Sequence, residues 1–337
     1  MRHAPIALAE QAARHAEADG RWDVIVCSDM LDLATFYGLA GAPLRSVPAV
    51  AYFHENQLTY PVRRDEPRDV HFGITNLTTA LAAASIWFNS AYHRHSFIRG
   101  LSALLRKMPD HQPLEAVDRI HAKSCVHSPA VEPFALRAPR QPGALRVLWA
   151  ARWEYDKGPD VFFEAVQMLV ERKVNLRLSV IGQRFREAPP VFAQAQDALA
   201  GQIDRWGYQP SREEYTAALA EADVFVSTAQ HEFFGISAVE AIAAGAYPVL
   251  PNRLAYPEVL GQLAGDRAGE FLYDGSVGGL ADRLAALADR LERGLLWAGV
   301  PGLAQRAQEQ FGWQVTADVL DDALGDVLPE RAGSTGS

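Results

Sequence analysis

The stretch HEFFGISAVEAIAAGAYPVL, His231 to Leu250, decides how the chain reads. A short apolar run ends near Ser227, and the acid Glu232 follows it on a loop. Phe234-Gly235-Ile236 then opens an apolar helix with Glu240 one turn in, and Tyr247–Leu250 reads as the next strand. Strand, loop, helix, strand is the repeating unit of parallel α/β layers. A helix start presents unpaired N–H groups and the positive end of a dipole, a combination suited to a diphosphate. Gly235 lets the main chain come close to a ligand. Spacing alone leaves the two acids open. They read as acceptors for a ligand's hydroxyls, or as a solvated loop acid and a helix-surface acid.

The alternation continues outward. Strands Leu145–Ala150, Leu176–Ile181 and Val224–Ser227 interleave with helices Pro159–Glu171, Arg212–Glu221 and Ile236–Ala244. Nearer the start, strands Val24–Cys27, Ala49–Phe53, Ile86–Phe88 and Cys125–His127 interleave with helices Ile6–Ala18, Phe72–Ala83 and Ala91–Arg106. Between the two sets lies RAPRQPG, Arg137 to Gly143, a Pro/Gly/Arg segment without periodicity and the best linker candidate. The expected fold class is therefore α/β, with two Rossmann-like domains whose parallel sheets face a central cleft. Expected boundaries are 1–138, 139–311 and a closing helix at 312–328 that packs back on the first domain. In such sheets ligands bind outside the carboxyl ends of the strands.

Composition narrows the classes. The 337 residues are 49% apolar, enough for two cores. Residues 1–140 hold 15 Lys+Arg against 14 Asp+Glu and nine of the ten His, and the rest holds 17 against 27, which accounts for the net −9. An acidic second half is not a general polyanion binder. The longest apolar stretch, near Leu77 to Phe88, is too short to span a bilayer. MRHAPIALAEQ does not read as a signal peptide, so the expected location is the cytoplasm and no membrane partner is expected. Cys27 and Cys125 match no metal or redox spacing and read as core cysteines. No D-x-D occurs, so no metal is expected. The oligomeric state is left open.

Two further strings carry chemistry. ARWEYDKGPD puts Arg152 and Lys157 directly after a strand and before a helix, and both cations suit phosphate oxygens. YFHENQLTYP puts His54, Glu55, Asn56 and Gln57 at the end of strand Ala49–Phe53, with Tyr60 available to stack. Four hydrogen-bonding side chains there suit a carbohydrate, or make a plain Asx-type loop. Asn89 and Ser90 close the next strand, and His93, Arg94 and His95 form a turn that faces water or meets a phosphate.

Glu232, Gly235 and Glu240, with Ala241, Gly245 and Pro248, resemble the E-x7-E signature of retaining GT-B glycosyltransferases of family 4, and Arg152 with Lys157 resembles their R-x4-K-G element. The resemblance implies that the two cations hold the donor diphosphate. It also implies that Glu240 holds the ribose, that Glu232 and His54 contact the sugar, and that the amides of Phe234, Gly235 and Ile236 meet sugar and phosphate. Gly182 and Gly207 stand where that family lines its nucleotide pocket, although each also fits a simple turn. DMLDLATF, HENQLTYP, FNSAYHR and STAQHEFFGISAVEAIAAGAYPVLPNRLAYPE together resemble the tRNA-queuosine α-mannosyltransferases. This likeness implies a hexosyltransferase moving mannose from GDP-mannose to queuosine in tRNA, with retention and without cofactor or metal. Arg63, Arg64 and Arg68 are the expected tRNA contacts. Two other readings stay open, a family 4 enzyme acting on a lipid or polysaccharide, and a sugar-nucleotide binder without turnover. One departure is that helix Ile6–Ala18 has no strand and Gly-rich loop ahead of it, where this fold places them.

Overall fold

The computed structural model describes residues 3–20, 22–59, 70–135, 142–185, 188–297 and 302–328. Most of the linker candidate, together with Tyr60, Arg63, Arg64 and Arg68, lies outside these. Two compact units divide the chain: Met1–Ser128 with the end from Ala317, and Pro129–Thr316.

The first unit runs α1(Ala4–Asp19), β1(Ile25–Ser28), α2(Leu33–Leu39), α3(Ala42–Arg45), β2(Ala49–Phe53), α4(Val70–Ala82), β3(Ser85–Phe88), α5(Ala91–Leu105), α6(Glu115–Ala122) and β4(Ser124–Val126). Its four strands are all parallel in the order β1-β2-β3-β4. AVAYF of β2 is almost wholly buried, as a strand covered on both faces must be. Ser90 starts α5 by accepting the N–H of His93, and Asp32 starts α2 by accepting that of Thr35.

In the second unit follow β5(Leu145–Ala150), α7(Pro159–Glu171), β6(Leu176–Ile181), α8(Val191–Ala198), β7(Ile203–Gly207), α9(Arg212–Glu221), β8(Val224–Val226), α10(Ile236–Ala243), β9(Tyr247–Pro251), α11(Tyr256–Ala264), β10(Leu272–Tyr273), α12(Val277–Glu292) and α13(Leu303–Phe311), and α14(Trp313–Gly325) belongs from Ala317 onward to the first unit. The sheet order is β10-β9-β8-β5-β6-β7. From β5 the chain first builds outward through β6 and β7, then returns to β8 on the other side. This reversal opens a crevice at the carboxyl ends of β5 and β8.

Two expectations are corrected. Cys27 is buried, and burial, with the charge of Asp29, pushes its thiol up to about 12. Cys125 is exposed, because it sits in the middle of β4, the edge strand of its sheet. His93 does not face water. It is fully buried, with Nδ1 2.8 Å from Asn89 Oδ1 and its ring edge-on to Phe88.

Candidate functional site

The crevice of the second unit is built from the segments that leave β5 and β8. After β5 the chain makes a single 3-10 turn, Tyr155–Lys157, and Gly158 takes a left-handed φ of 64° before Pro159 starts α7. A Cβ at Gly158 would stand 2.4 Å from Thr228 O, so the two segments touch through main chain and only glycine fits. They are also tied by Thr228 Oγ1 donating to Lys157 O at 2.8 Å and Gln230 N donating to Asp156 O at 2.7 Å.

This tie fixes Lys157. Its ammonium donates to His231 O at 2.8 Å and lies 3.2 Å from Asp156 Oδ2 and 3.6 Å from Glu232 Oε2. Lys157 and Asp156 are both buried, and a buried charge is tolerable only with such partners. Glu232 turns its other oxygen to the N–H groups of Phe233, at 3.0 Å, and Phe234, at 3.5 Å. Burial, then the charge of Lys157, drives the His231 imidazole down to about 4, and Asp156, Glu232 and Arg152 act on it as well. Arg152 therefore lies within electrostatic reach of the same spot. Its partly exposed guanidinium is 3.5 Å from Glu154.

Glu232 leads into α10. Gly235 caps it with a φ of 89°, and a Cβ there would meet the Tyr256 ring at 2.7 Å. Tyr256 is pinned by its hydroxyl to Ser227 Oγ at 2.7 Å. Phe234 is core, edge-on to Phe311, so it serves the site through its main chain. Ile236 is exposed. Lys157, Glu232, Ser237 and Tyr256 share in lining a cavity of about 10 Å³, room for one water at most.

Glu240, one turn into α10, is buried, which excludes the helix-surface reading. Its oxygens accept from Arg212 Nη2 at 2.9 Å and from the Tyr215 hydroxyl at 2.7 Å, and Arg212 lies 5.2 Å from the Tyr215 ring centre. Burial and the Glu240 charge push the Tyr215 hydroxyl well above its ordinary pKa, so it stays a donor. A carboxylate has about four acceptor positions, so Glu240 keeps capacity for ligand hydroxyls. Gly182, at the end of β6, is more than a turn. A Cβ there would overlap Ala151 O, and its N–H donates to Gly207 O at 3.1 Å. Gly207, φ 93°, has open space around it.

In the first unit, the loop after β2 hangs from buried polar side chains. His54 donates its N–H to Asp29 Oδ1 at 3.1 Å and accepts from Asn89 Nδ2 at 3.1 Å. Asn76, on α4, accepts the N–H of Gln57 at 3.4 Å and donates to Asp29 O at 2.9 Å. Asn56 is fully buried and its Oδ1 accepts from Thr59, whereas Glu55 and Gln57 are half-buried. Ser90 caps α5. The exposed His54 ring rests on Tyr52, centroids 4.2 Å apart, and Tyr52 is anchored to His127 O at 2.6 Å.

The structure thus gathers Lys157, Glu232, Arg152 and the start of α10 in the second unit, with Glu240 beside them on the same helix. His54, Asn56, Gln57, Asn89 and Ser90 gather in the first. Asp156, Arg212, Tyr215 and Tyr256 were not legible as site residues, and nor were Asp29 and Asn76. Asp156 carried a signal in its place between the two cations, and Asp29 in heading the DMLDLATF string.

Residues 1–131 match the tRNA-queuosine α-mannosyltransferase N-terminal model, and residues 137–292 match glycosyl transferases group 1. The chain is 34% identical over 252 residues to the tRNA-queuosine α-mannosyltransferase of Drosophila melanogaster. That match takes in 72% of the chain and 66% of the relative, just under two thirds of the relative's length. A GDP-mannose:cellobiosyl-diphosphopolyprenol α-mannosyltransferase of Xanthomonas campestris is 33% identical over 124 residues, 36% of the chain and 32% of the relative. Among solved structures, TarM and the sucrose-phosphate synthase of Thermosynechococcus elongatus each superpose with a TM-score of 0.67 over 95% of the chain, covering 58% and 77% of their own lengths. At 13% and 15% identity these two speak for the fold alone. With both halves matched in order and two parallel sheets behind them, the chain belongs to the tRNA-queuosine α-mannosyltransferase family of GT-B glycosyltransferases.

Proposed function

We propose that this protein is a retaining hexosyltransferase that moves mannose from GDP-mannose to a hydroxyl of queuosine in tRNA, in the cytoplasm. The observation that carries the donor side is the convergence of the Lys157 ammonium, Glu232 and the Phe233 and Phe234 amides that lead into α10, within 3.6 Å contacts at the switch point of the second sheet. Lys157, Arg152 and the helix N–H groups would take the charge that grows on the departing diphosphate, and stabilisation of this kind is often the largest catalytic contribution. Glu240 would accept the ribose hydroxyls. The bond from the anomeric carbon to the diphosphate oxygen breaks as the acceptor oxygen bonds on the same face. The acceptor's proton passes to the leaving phosphate. Glu232 would position and polarise the sugar on the donor side, the family likeness gives His54 of the first unit a sugar-contacting role, and no protein nucleophile or metal is invoked. The acceptor assignment follows the family. Among the described residues no helix is long and apolar enough to cross a membrane.

The test is incubation with radiolabelled GDP-mannose and queuosine-containing tRNA, with queuosine-free tRNA beside it. Label should enter only the first. Equal labelling of both, or of neither, contradicts the proposal.

A further inference from the structure

Asp29 follows β1 at the head of the DMLDLATF string, and the donor chemistry does not use it. It is 3% exposed. One oxygen accepts the N–H of His54, and the other, Oδ2, has no hydrogen-bond partner among the described residues. A buried carboxylate oxygen without a partner is costly, and an evolved fold keeps one where something uses it. A second unsatisfied group lies on the loop after β2 that carries His54. Asn56, fully buried, has its Nδ2 donors unpartnered among the described residues. The His54 peptide is meanwhile gripped from both sides, by Asp29 at its N–H and by Asn89 at its carbonyl, and Asn89 is backed by buried His93. Three elements therefore converge on one peptide: the end of β1, the end of β3 and the first turn of α5.

We propose that Asp29 is a positioning residue for His54, with its second carboxylate oxygen held to accept a hydroxyl of the ligand that the loop after β2 meets. The proposal rests on the reading above that the loop after β2 meets a polyhydroxylated ligand. A carboxylate oxygen suits a hydroxyl, which can donate a hydrogen bond to it. Burial raises the Asp29 carboxyl to about 6, against the pull of the N–H groups of His54, of Asp29 itself and of Glu55, while the Glu55 charge adds a small upward push. The titratable or charged groups facing it are Cys27 on its own strand and Glu55 on the loop after β2, while α4 contributes the neutral amide of Asn76. The ionised form, present above about pH 6, is the better acceptor for N–H and hydroxyl groups, so transfer should fall as pH drops through that value.

Stability runs the other way. A carboxyl whose pKa is higher in the fold than in the unfolded chain stabilises fully at low pH, and that contribution is lost as pH rises through about 6. At neutral pH the ionised Asp29 therefore strains the fold, and a purely structural aspartate would not.

The test is Asp29→Asn in the full chain. Expected are transfer to tRNA lower by about a hundredfold, as for a misplaced positioning group, an acid limb near pH 6 that disappears, and unchanged GDP affinity. The thermal midpoint at neutral pH should rise by about 2–4 °C. Transfer within about twofold of the parent, or a lowered midpoint, would overturn the proposal. If the parent chain transfers nothing, the functional reading fails by itself and the His54 amide resonance decides. Its movement between about pH 5 and 7, lost in Asp29→Asn, supports the positioning role, and a resonance that stays fixed in the parent overturns it.

Discussion

The two units hold their loops by different chemistry. In the second, charge is set against charge. One ammonium lies between Asp156 and Glu232, and one guanidinium is set on Glu240. In the first, amides and one carboxyl grip the main chain of His54 and Gln57, and the ring that faces solvent is a single imidazole. A polyanionic ligand calls for the first arrangement, because its charge must be balanced where water is partly excluded. A ligand made of hydroxyls calls for the second, because directional acceptors and donors, not net charge, distinguish one hydroxyl from another. The charge of the chain follows this division only loosely, since the more acidic half carries the cationic spot. Local geometry, not overall charge, makes the site.

The largest effect should come from Lys157→Ala. Turnover should fall by about two to three orders of magnitude, as when one preorganised transition-state donor is removed, while circular dichroism shows a folded chain. Turnover at the parent level would mean that the charged region is structural. Gly182→Ala probes how tightly β5 and β6 are joined at that region. Its Cβ would overlap Ala151 O, so we expect a loss of at least about 2 kcal/mol in urea unfolding. An unchanged urea midpoint would remove the close approach from the account. Tyr215→Phe takes one donor from Glu240 and leaves the Arg212 contact. GDP affinity should weaken by about tenfold or more, since one hydrogen bond to a charged group is worth about 1.5–3 kcal/mol. Titration calorimetry reads this, and unaltered affinity would take Glu240 out of the ribose role. The smallest effect concerns pH. His231 is held near 4 by burial and by Lys157, below its ordinary 6.5. Its contribution to stability is complete above about 6.5 and is lost as pH falls through about 4. His231→Gln should flatten the acid side of a stability-against-pH curve, and a curve unaltered by the change would show that the imidazole titrates freely.

What sequence shows and what it hides follow from distance along the chain. The alternation of β2, β3, β5, β6 and β8 with their helices was legible, because a buried parallel strand is a short apolar run bounded by polar loops. Lys157, Glu232 and Glu240 stand in tight local patterns, and the glycines beside them are forced by contacts that only main chain can make. The Arg212–Tyr215 grip on Glu240 was hidden, since it spans 25 and more residues and comes from a helix with no special spacing. The grip of Asp29 on the His54 main chain, 25 residues away, was hidden for the same reason, although Asp29 heads the DMLDLATF string. His93 misled because its neighbours Arg94 and His95 are polar, while the helix turns its own ring inward onto Phe88. Cys125 misled because a strand at the sheet edge shows one face to solvent.

If the Lys157 region of the second unit recognises a diphosphate, titration calorimetry should find GDP bound more tightly than guanosine by about ten- to a hundredfold, the worth of charge-assisted contacts. Lys157→Ala should then remove most of that difference. Guanosine binding as tightly as GDP, or a difference that survives Lys157→Ala intact, would contradict it.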